Sequence, residues 1–431
     1  MDIIFTGATV IDPSQAINGR FDILVRNGQV AAIAQNIPQE NRQVIHVAGK
    51  TVIPGLIDLH THLREPGGEA KETIASGSRA AAAGGYTSIT ALPNTNPVLD
   101  NSEMIANANA IVLRDSVVRV FPVGAATVGS AGQKVTAMGE MVKLGVRAVT
   151  DDGRGIQNAR ILRAVLLCCK EYDLPLFEHC EDESLAGKGQ LHDGSVAARL
   201  GLPGIPPSAE DVMLARDLGL AAETGARLHV MHVSTAVSVE MIRQAKAKGI
   251  LVTAEVTPHH LLLTEDAVDQ YHTMAKMKPP LRTAADMMAL RQGLADGTLD
   301  AVATDHAPHT AVEKTGDFIT AAFGIVGLET AFPLLYTHLV KPSHISLATL
   351  VKRMSWAPAS ILKVPFGTLK VGSAADLTVI DTEQEYGIDR DTFHSKGKNT
   401  PFHGWSVFGA PLLTMVGGDI VMHAGRIEKK Q

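Results

Sequence analysis

Cysteine, long apolar runs and excess basic charge are all scarce in this chain, and each scarcity removes a class of protein. Three cysteines occur in 431 residues, two of them adjacent at Cys168 and Cys169, and none forms a Cys-x-x-Cys pair. An odd, sparse count gives no disulfide framework and suits a reducing cytoplasm with buried thiols. Cys180 follows His179, yet neighbours on a strand face opposite ways, so it reads as a packed thiol rather than a metal ligand. No apolar run approaches the roughly 18 residues of a membrane span. The opening "MDIIFTGATVID" lacks the basic region and small-residue cleavage site of a signal peptide. A formal net charge of −6 gives no electrostatic case for nucleic acid or an anionic membrane. The short basic cluster Arg426–Lys430 reads as solvated surface. What remains, 45% hydrophobic and 19% charged, fits a soluble globular protein.

The two ends of the chain look alike and the middle differs. Residues 1–51 give short apolar runs, "DIIFTGATVID", "FDILVRNGQVAAIA" and "QVIHVAG", separated by Asn-Gly and other glycine turns. Residues 366–431 resume that pattern with "GTLKVGSAADLTVID" and "MVGGDIVMHAGRIE". Both ends are expected to form one small β-sandwich domain, with residues 52–365 inserted between its halves. In the insert, strand-like runs alternate with helical patterns such as "NARILRAVLLCCKEYD", which argues βα units around a parallel sheet. Eight runs qualify as strands: 51–62, 86–95, 119–128, 147–153, 174–182, 226–235, 250–260 and 300–309. Eight is the number that closes a (β/α)₈ TIM-type barrel, an α/β fold whose sites lie at the C-terminal ends of the strands.

Those ends carry chemistry. Nearly every run finishes in a polar group: His60 and His62, Asn94, Asp152 beside Asp151, His179, His232, His259 and His260, Asp305. His60 and His62 are two apart and share a strand face. Imidazole and carboxylate together suit zinc or a similar divalent ion. His60, His62, His179, His232, Asp305 and one carboxylate of the Asp151–Asp152 pair are too many for one tetrahedral ion. They suit two zinc ions about 3.5–4 Å apart, sharing a carboxylate and an activated water. Asp305 would then serve twice, as ligand and as catalytic acid/base. The residues alone leave Asp151 and Asp152 equally open as the bridge.

Pro54-Gly55-Leu56-Ile57-Asp58-Leu59-His60-Thr61-His62 is similar to the PGxxDxHxH opening of the amidohydrolase superfamily. With "DLHTHLREPG", "LPNTNP", "TDDG", "EHCED", "HVSTA" and "ATDHAPH…FGIVGLET", nearly the whole chain resembles the dihydroorotase family of the class I bacterial kind. The resemblance implies reversible cyclisation of carbamoyl aspartate to dihydroorotate in pyrimidine synthesis. It implies one zinc on His60 and His62, a second on His179 and His232, Asp152 as the bridge and Asp305 as the acid/base. Many relatives bridge with a carboxylated lysine, and residues 147–153 contain none. The resemblance further implies that Arg64, Asn94 and His309 receive the substrate carboxylate, with backbone at Phe323 and Gly324 against the ring. A guanidinium fork matches a carboxylate bidentately; the alternative for Arg64 is a surface salt bridge with Glu65 or Glu69. Lys278 departs from the family, which often has asparagine there. For His259 and His260 a role orienting a metal ligand is expected. The loops 153–158 and 308–323 are expected to close over substrate. A homodimer, and room for association with aspartate transcarbamoylase, complete what the resemblance implies. The rivals are a hydantoinase-like or allantoinase-like cyclic amide hydrolase and a catalytically dead scaffold.

Overall fold

A computed structural model describes residues 2–428; Lys429 and Lys430 of the basic cluster lie outside the described residues. Eight short parallel strands form the body: Leu56–Asp58, Tyr86–Ala91, Arg119–Pro122 continued by Gly124–Ala125, Val149–Thr150, Pro175–Glu178, Arg227–Val230, Val252–Val256 and Ala301–Val302. Each pairs with the next, and the third hands over at Val123 from one neighbour to the other. First and last strands meet where His62 N donates to His306 O (2.8 Å) and His306 N to His60 O (3.3 Å). The architecture is a TIM-type barrel. All six residues of Tyr86–Ala91 are buried, as a parallel strand covered on both faces requires. The barrel is filled by Leu59, Leu92, Val123, Ala148, Phe177 and Met231, each within or adjoining a different strand. Outside it, helices bury one stripe: Ala159–Glu171 places Leu162, Val165, Leu166 and Cys169 inward, and Asn158 caps its first amides.

A second, nine-stranded sheet joins both ends of the chain. Ile3–Asp12 pairs with Thr51–Pro54, which pairs in turn with Leu377–Asp381. The run 51–62, expected as one strand, is therefore two. Pro54 ends the outer strand and Gly55 carries the chain across to Leu56–Asp58. A Cβ on Gly55 would sit 2.2 Å from the Thr87 side chain, so no larger residue fits that crossing. Uniform hydrophobicity concealed the break, because both halves are buried. The two sheets are tied by Arg119, whose Nη1 lies 2.5 Å from Asp376 Oδ2 while its guanidinium rests 4.3 Å from the Phe366 ring centre.

The run 250–260 also divides. Its strand stops at Val256, and Thr257 caps a helix, Pro258–Leu262, with proline in its first turn. His259 and His260 therefore belong to a helix rather than a strand end.

Two loops interlock at the barrel mouth. Asn96 N donates to Pro66 O (3.0 Å), and Gly67, at φ +89°, approaches Asn96 so closely that a Cβ would lie 2.1 Å from its carbonyl oxygen. "REPG" and "PNTNP" thus form one unit. Replacing Gly67 by alanine adds both a left-handed strain and a backbone clash. The expected result is destabilisation by about 1–3 kcal/mol, measured by denaturant unfolding; an unchanged midpoint would show that the loops pack independently.

Candidate active site

The site begins with a buried carboxylate that touches no substrate. Asp58 Oδ1 accepts from His60 N and from Thr304 N (both 3.1 Å), and its Oδ2 accepts from Thr304 Oγ1 (2.6 Å). It staples the first strand to the eighth and sets where His60 and Asp305 emerge. Burial pushes its carboxyl up to about 7. Beyond the staple the backbone is strained: Arg64 (φ +60°), His232 (+31°) and Asp305 (+48°) occupy the left-handed region. Each costs about 1–3 kcal/mol and persists only where the surroundings dictate it.

These bends bring six side chains together. Asp152 Oδ1 lies 3.7 Å from His60 Nε2, 3.5 Å from His179 Nδ1 and 3.8 Å from His232 Nε2. Its Oδ2 lies 3.5 Å from His62 Nε2. Asp305 Oδ1 is 3.2 Å from both His60 Nε2 and His62 Nε2. Asp151 turns away, accepting from Thr127 N (3.0 Å) and its hydroxyl. The structure therefore separates the two aspartates that the sequence left open. All six groups are buried.

The hydrogen bonds behind the rings fix what faces inward. His60 Nδ1 lies 2.9 Å from Glu255 Oε1, and His62 Nδ1 lies 2.9 Å from Asn94 Oδ1. Both partners accept, so each Nδ1 carries the proton and each Nε2 presents a lone pair. Those lone pairs point at Asp152 and Asp305, which also only accept. His60 Nε2 and His179 Nε2 are buried with no hydrogen-bond partner. On the other side His179 Nδ1 and His232 Nε2 stand 2.9 Å apart, room for a single proton between them. Acceptors facing acceptors need cations, and the groups sort into His60, Asp152, His232 and His60, His62, Asp305. The donor set fits divalent metal ions.

Charges respond in kind. Burial works against ionisation of Asp152, but the imidazoles of His60, His179 and His232 around it outweigh burial and hold the carboxyl well below its usual range. Asp305 is likewise lowered, burial being overcome by His60 and His62. Glu255, buried but bonded by His229 and His60, is held at about 2.

At the mouth, Arg64 Nε donates to Pro308 O (3.3 Å) and its Nη2 lies 3.4 Å from His309 Nε2. Glu65 and Glu69 are engaged elsewhere, by Ile74 N and Gly67 N. His309 Nε2 lies 2.8 Å from Phe323 O. Both polar groups of Gly324 are taken: its N donates to Lys276 O (2.9 Å), and its O accepts from Asn399 Nδ2 and Lys314 Nζ (both 3.0 Å). At φ +116°, it offers close approach rather than a free amide. Lys276 and Lys314 are buried and donate to carbonyls of residues 318–324. Loop 153–158 is fastened too, by Ile156 N on Glu178 (2.7 Å) and Arg216 on the Ile156 and Gln157 carbonyls (2.7 Å each). Lys278 pairs with Glu181 at 2.5 Å.

The expectation that His259 and His260 orient a metal ligand is not met among the described hydrogen bonds. His260 bonds Thr257 Oγ1 (2.7 Å) and the Pro279 carbonyl (3.1 Å). Glu255 and Asn94 do the orienting instead. Glu255 escaped the sequence reading; its one signal is a carboxylate inside the apolar run "ILVTAEVTPHH". Cys180 Sγ faces Asp217 at 3.6 Å and is pushed up by burial.

A cluster able to hold metal ions at the C-terminal ends of a TIM-type barrel, with a companion β domain, defines a hydrolase of the amidohydrolase superfamily. Among solved structures, L-hydantoinase (dihydropyrimidinase) from Arthrobacter aurescens superposes with a TM-score of 0.90 at 28% identity, covering 100% of this chain and 98% of that one. The dihydropyrimidinase from Brevibacillus agri gives 0.88 at 25% identity, covering 99% and 96%. Sequence is more discriminating. A family described as dihydro-orotase-like matches residues 49–238. A dihydroorotase from Thermoanaerobacter sp. is 48% identical over 100% of this chain and 99% of its own length. One from Bacillus cytotoxicus is 50% identical over 93% and 94%. The chain belongs to the dihydroorotase family.

His309 supplies a prediction. Burial and the Arg64 charge lower its pKa from 6.5 to about 3. The folded protein therefore binds fewer protons than the unfolded chain between these values. This contribution to stability is intact above about pH 6.5 and is lost as pH falls toward 3. The His309 ring resonance should stay fixed from about pH 8 to pH 5; titration near 6.5 would mean that Arg64 does not face it.

Proposed function

We propose that the protein interconverts N-carbamoyl-L-aspartate and dihydroorotate in pyrimidine synthesis, using two zinc ions held by His60, His62, Asp152, His179, His232 and Asp305. The observation that carries this reading is Asp152, set among four imidazoles, with the Nε2 atoms of His60 and His62 facing only carboxylates. Such ions, when bound, polarise a carbonyl and supply a hydroxide near neutral pH. Imidazole and carboxylate without thiolate favour zinc over softer ions.

The chain's own residues do the rest. Arg64 receives the substrate carboxylate, with the neutral imidazole of His309 beside it and Asn94 on the opposite wall. Gly324 gives the ring its closest approach and Phe323 borders it. In the hydrolytic direction the ring C–N bond breaks and a C–O bond forms. Asp305 carries the proton released by the nucleophile to the departing nitrogen. In cyclisation it takes that proton from the carbamoyl nitrogen and passes it to the leaving oxygen. Fastened loops and a buried floor keep bulk water from the reacting atoms.

We assign residues 52–365 to the catalytic barrel and residues 1–51 with 366–431 to the small β domain. The same reading gives a cytoplasmic homodimer able to associate with aspartate transcarbamoylase. Three free cysteines agree with a reducing compartment. Hydantoinase-like turnover is the second reading, favoured by the structural superposition; absence of lysine from residues 147–153 weighs against it.

The test is turnover in both directions by purified, metal-analysed protein beside Asp305→Asn. About two zinc ions per chain and activity in both directions are expected, with the variant keeping metal but losing about 10²–10⁴-fold in kcat. Metal without activity on dihydroorotate would transfer the assignment to another cyclic amide. Arg64→Ala should raise KM for carbamoyl aspartate about 10- to 100-fold with a smaller change in kcat; an unaltered KM would remove Arg64 from the pocket.

A further inference from the structure

Glu255, already seen behind His60, is fully buried, lies on the strand Val252–Val256 and is itself tied further back. Its two oxygens are both used. Oε1 is 2.9 Å from His60 Nδ1, and Oε2 is 3.0 Å from His229 Nε2. His229 is itself fully buried, and its Nδ1 lies 2.8 Å from Thr253 Oγ1. Thr253 and His229 are register partners on adjacent strands, and Thr253 and Glu255 share a strand face. The result is a single file, Thr253–His229–Glu255–His60, running through the barrel. It ends at Thr253, which is half-buried and lines a cavity of about 460 Å³ with Arg227 and Lys363.

Donor and acceptor chemistry gives the file one direction. A carboxylate only accepts, so His60 must donate from Nδ1 and His229 from Nε2. His229 Nδ1 meets the Thr253 hydroxyl, which can rotate to complete the file. Nothing else in the file can be reversed without leaving a buried acceptor against an acceptor, at a cost of about 1–3 kcal/mol. His60 is left with a lone pair on Nε2, the atom that faces Asp152 and Asp305.

We propose that the Thr253–His229–Glu255 file is a positioning device that fixes the ring orientation and tautomer of His60, making its Nε2 a metal ligand. The inference rests on the metal reading of the site above. Glu255 acts through His60 and touches no substrate. Hydrogen-bonded carboxylates behind ligating histidines commonly sustain metal affinity about 10- to 100-fold.

The test uses the full-length protein stripped of metal and titrated with cobalt(II), read by visible absorption and by competition with a chelator. Wild type is expected to take up two ions. Glu255→Gln, nearly isosteric but able to present a donor to His60, should weaken one ion about 10- to 100-fold and shift its absorption band. The ion facing His179 should stay. Thr253→Val keeps Glu255 and both histidines but strips His229 Nδ1 of its partner, loosening the ring behind Glu255, and should weaken the same ion in the same direction. Thr253→Val alone decides the question if Glu255→Gln fails to fold. Two ions bound by either folded variant with unchanged affinity and spectrum, even with a lowered thermal midpoint, would reduce the file to packing and overturn the inference while leaving the proposed reaction intact. A wild-type protein that binds no cobalt would overturn both.

Discussion

Everything at the barrel mouth answers to one electrostatic problem: Asp152 is buried with four imidazole nitrogens within 3.8 Å. Groups of this kind are expensive to bury unless each finds a partner of opposite character. The barrel meets the demand from behind. Asp58 staples strand one to strand eight, Asn94 and Glu255 take the outer nitrogens of His62 and His60, and left-handed backbone at His232 and Asp305 aims the remaining groups. Remove Asp58, Asn94 or Glu255 and a buried N–H is left without its acceptor.

The mouth follows a different rule. Its charge is concentrated in Arg64, because His309 is kept neutral and the buried Lys276 and Lys314 spend their protons on carbonyls. Burial pulls these lysines down to about 8 and about 7, and neither has a carboxylate bonded to it. Their role is to shape the segment 318–324 from beneath. A fixed wall with one guanidinium suits recognition of a small dicarboxylate better than a broad basic patch would, since each charge keeps a defined partner.

Much of this was legible in the sequence, and the illegible parts share a cause. Period-two spacing put His60 and His62 on one face, and the repetition of polar groups at run ends announced the barrel mouth. Asp151 and Asp152 could not be told apart, because strand alternation says that they differ without saying which faces inward; Thr127, on the neighbouring strand's extension, settles it by taking Asp151. The strand break at Gly55 was hidden because burial on both sides makes two strands read as one. The turn at Thr257-Pro258 was readable as a helix start, and the apolar context overrode that signal. Glu255 is the instructive omission: it is a charge inside an apolar run, and a buried carboxylate must have partners somewhere.

Only Gly55 separates Thr51–Pro54 in the outer sheet from the barrel strand that delivers His60. Thr51–Pro54 has Ile3–Asp12 on one side and Leu377–Asp381 on the other. During synthesis, then, the first catalytic strand hangs from a sheet whose other half is made after the whole barrel. Contacts so distant in sequence form late, since a long loop must close before they contribute. A ribosome that stalls after Asp305 has already encoded all six buried groups of the site, yet the fragment lacks the strand that anchors the first of them. Competence is thereby linked to completeness, and an unfinished chain is denied the frame in which its ligands converge.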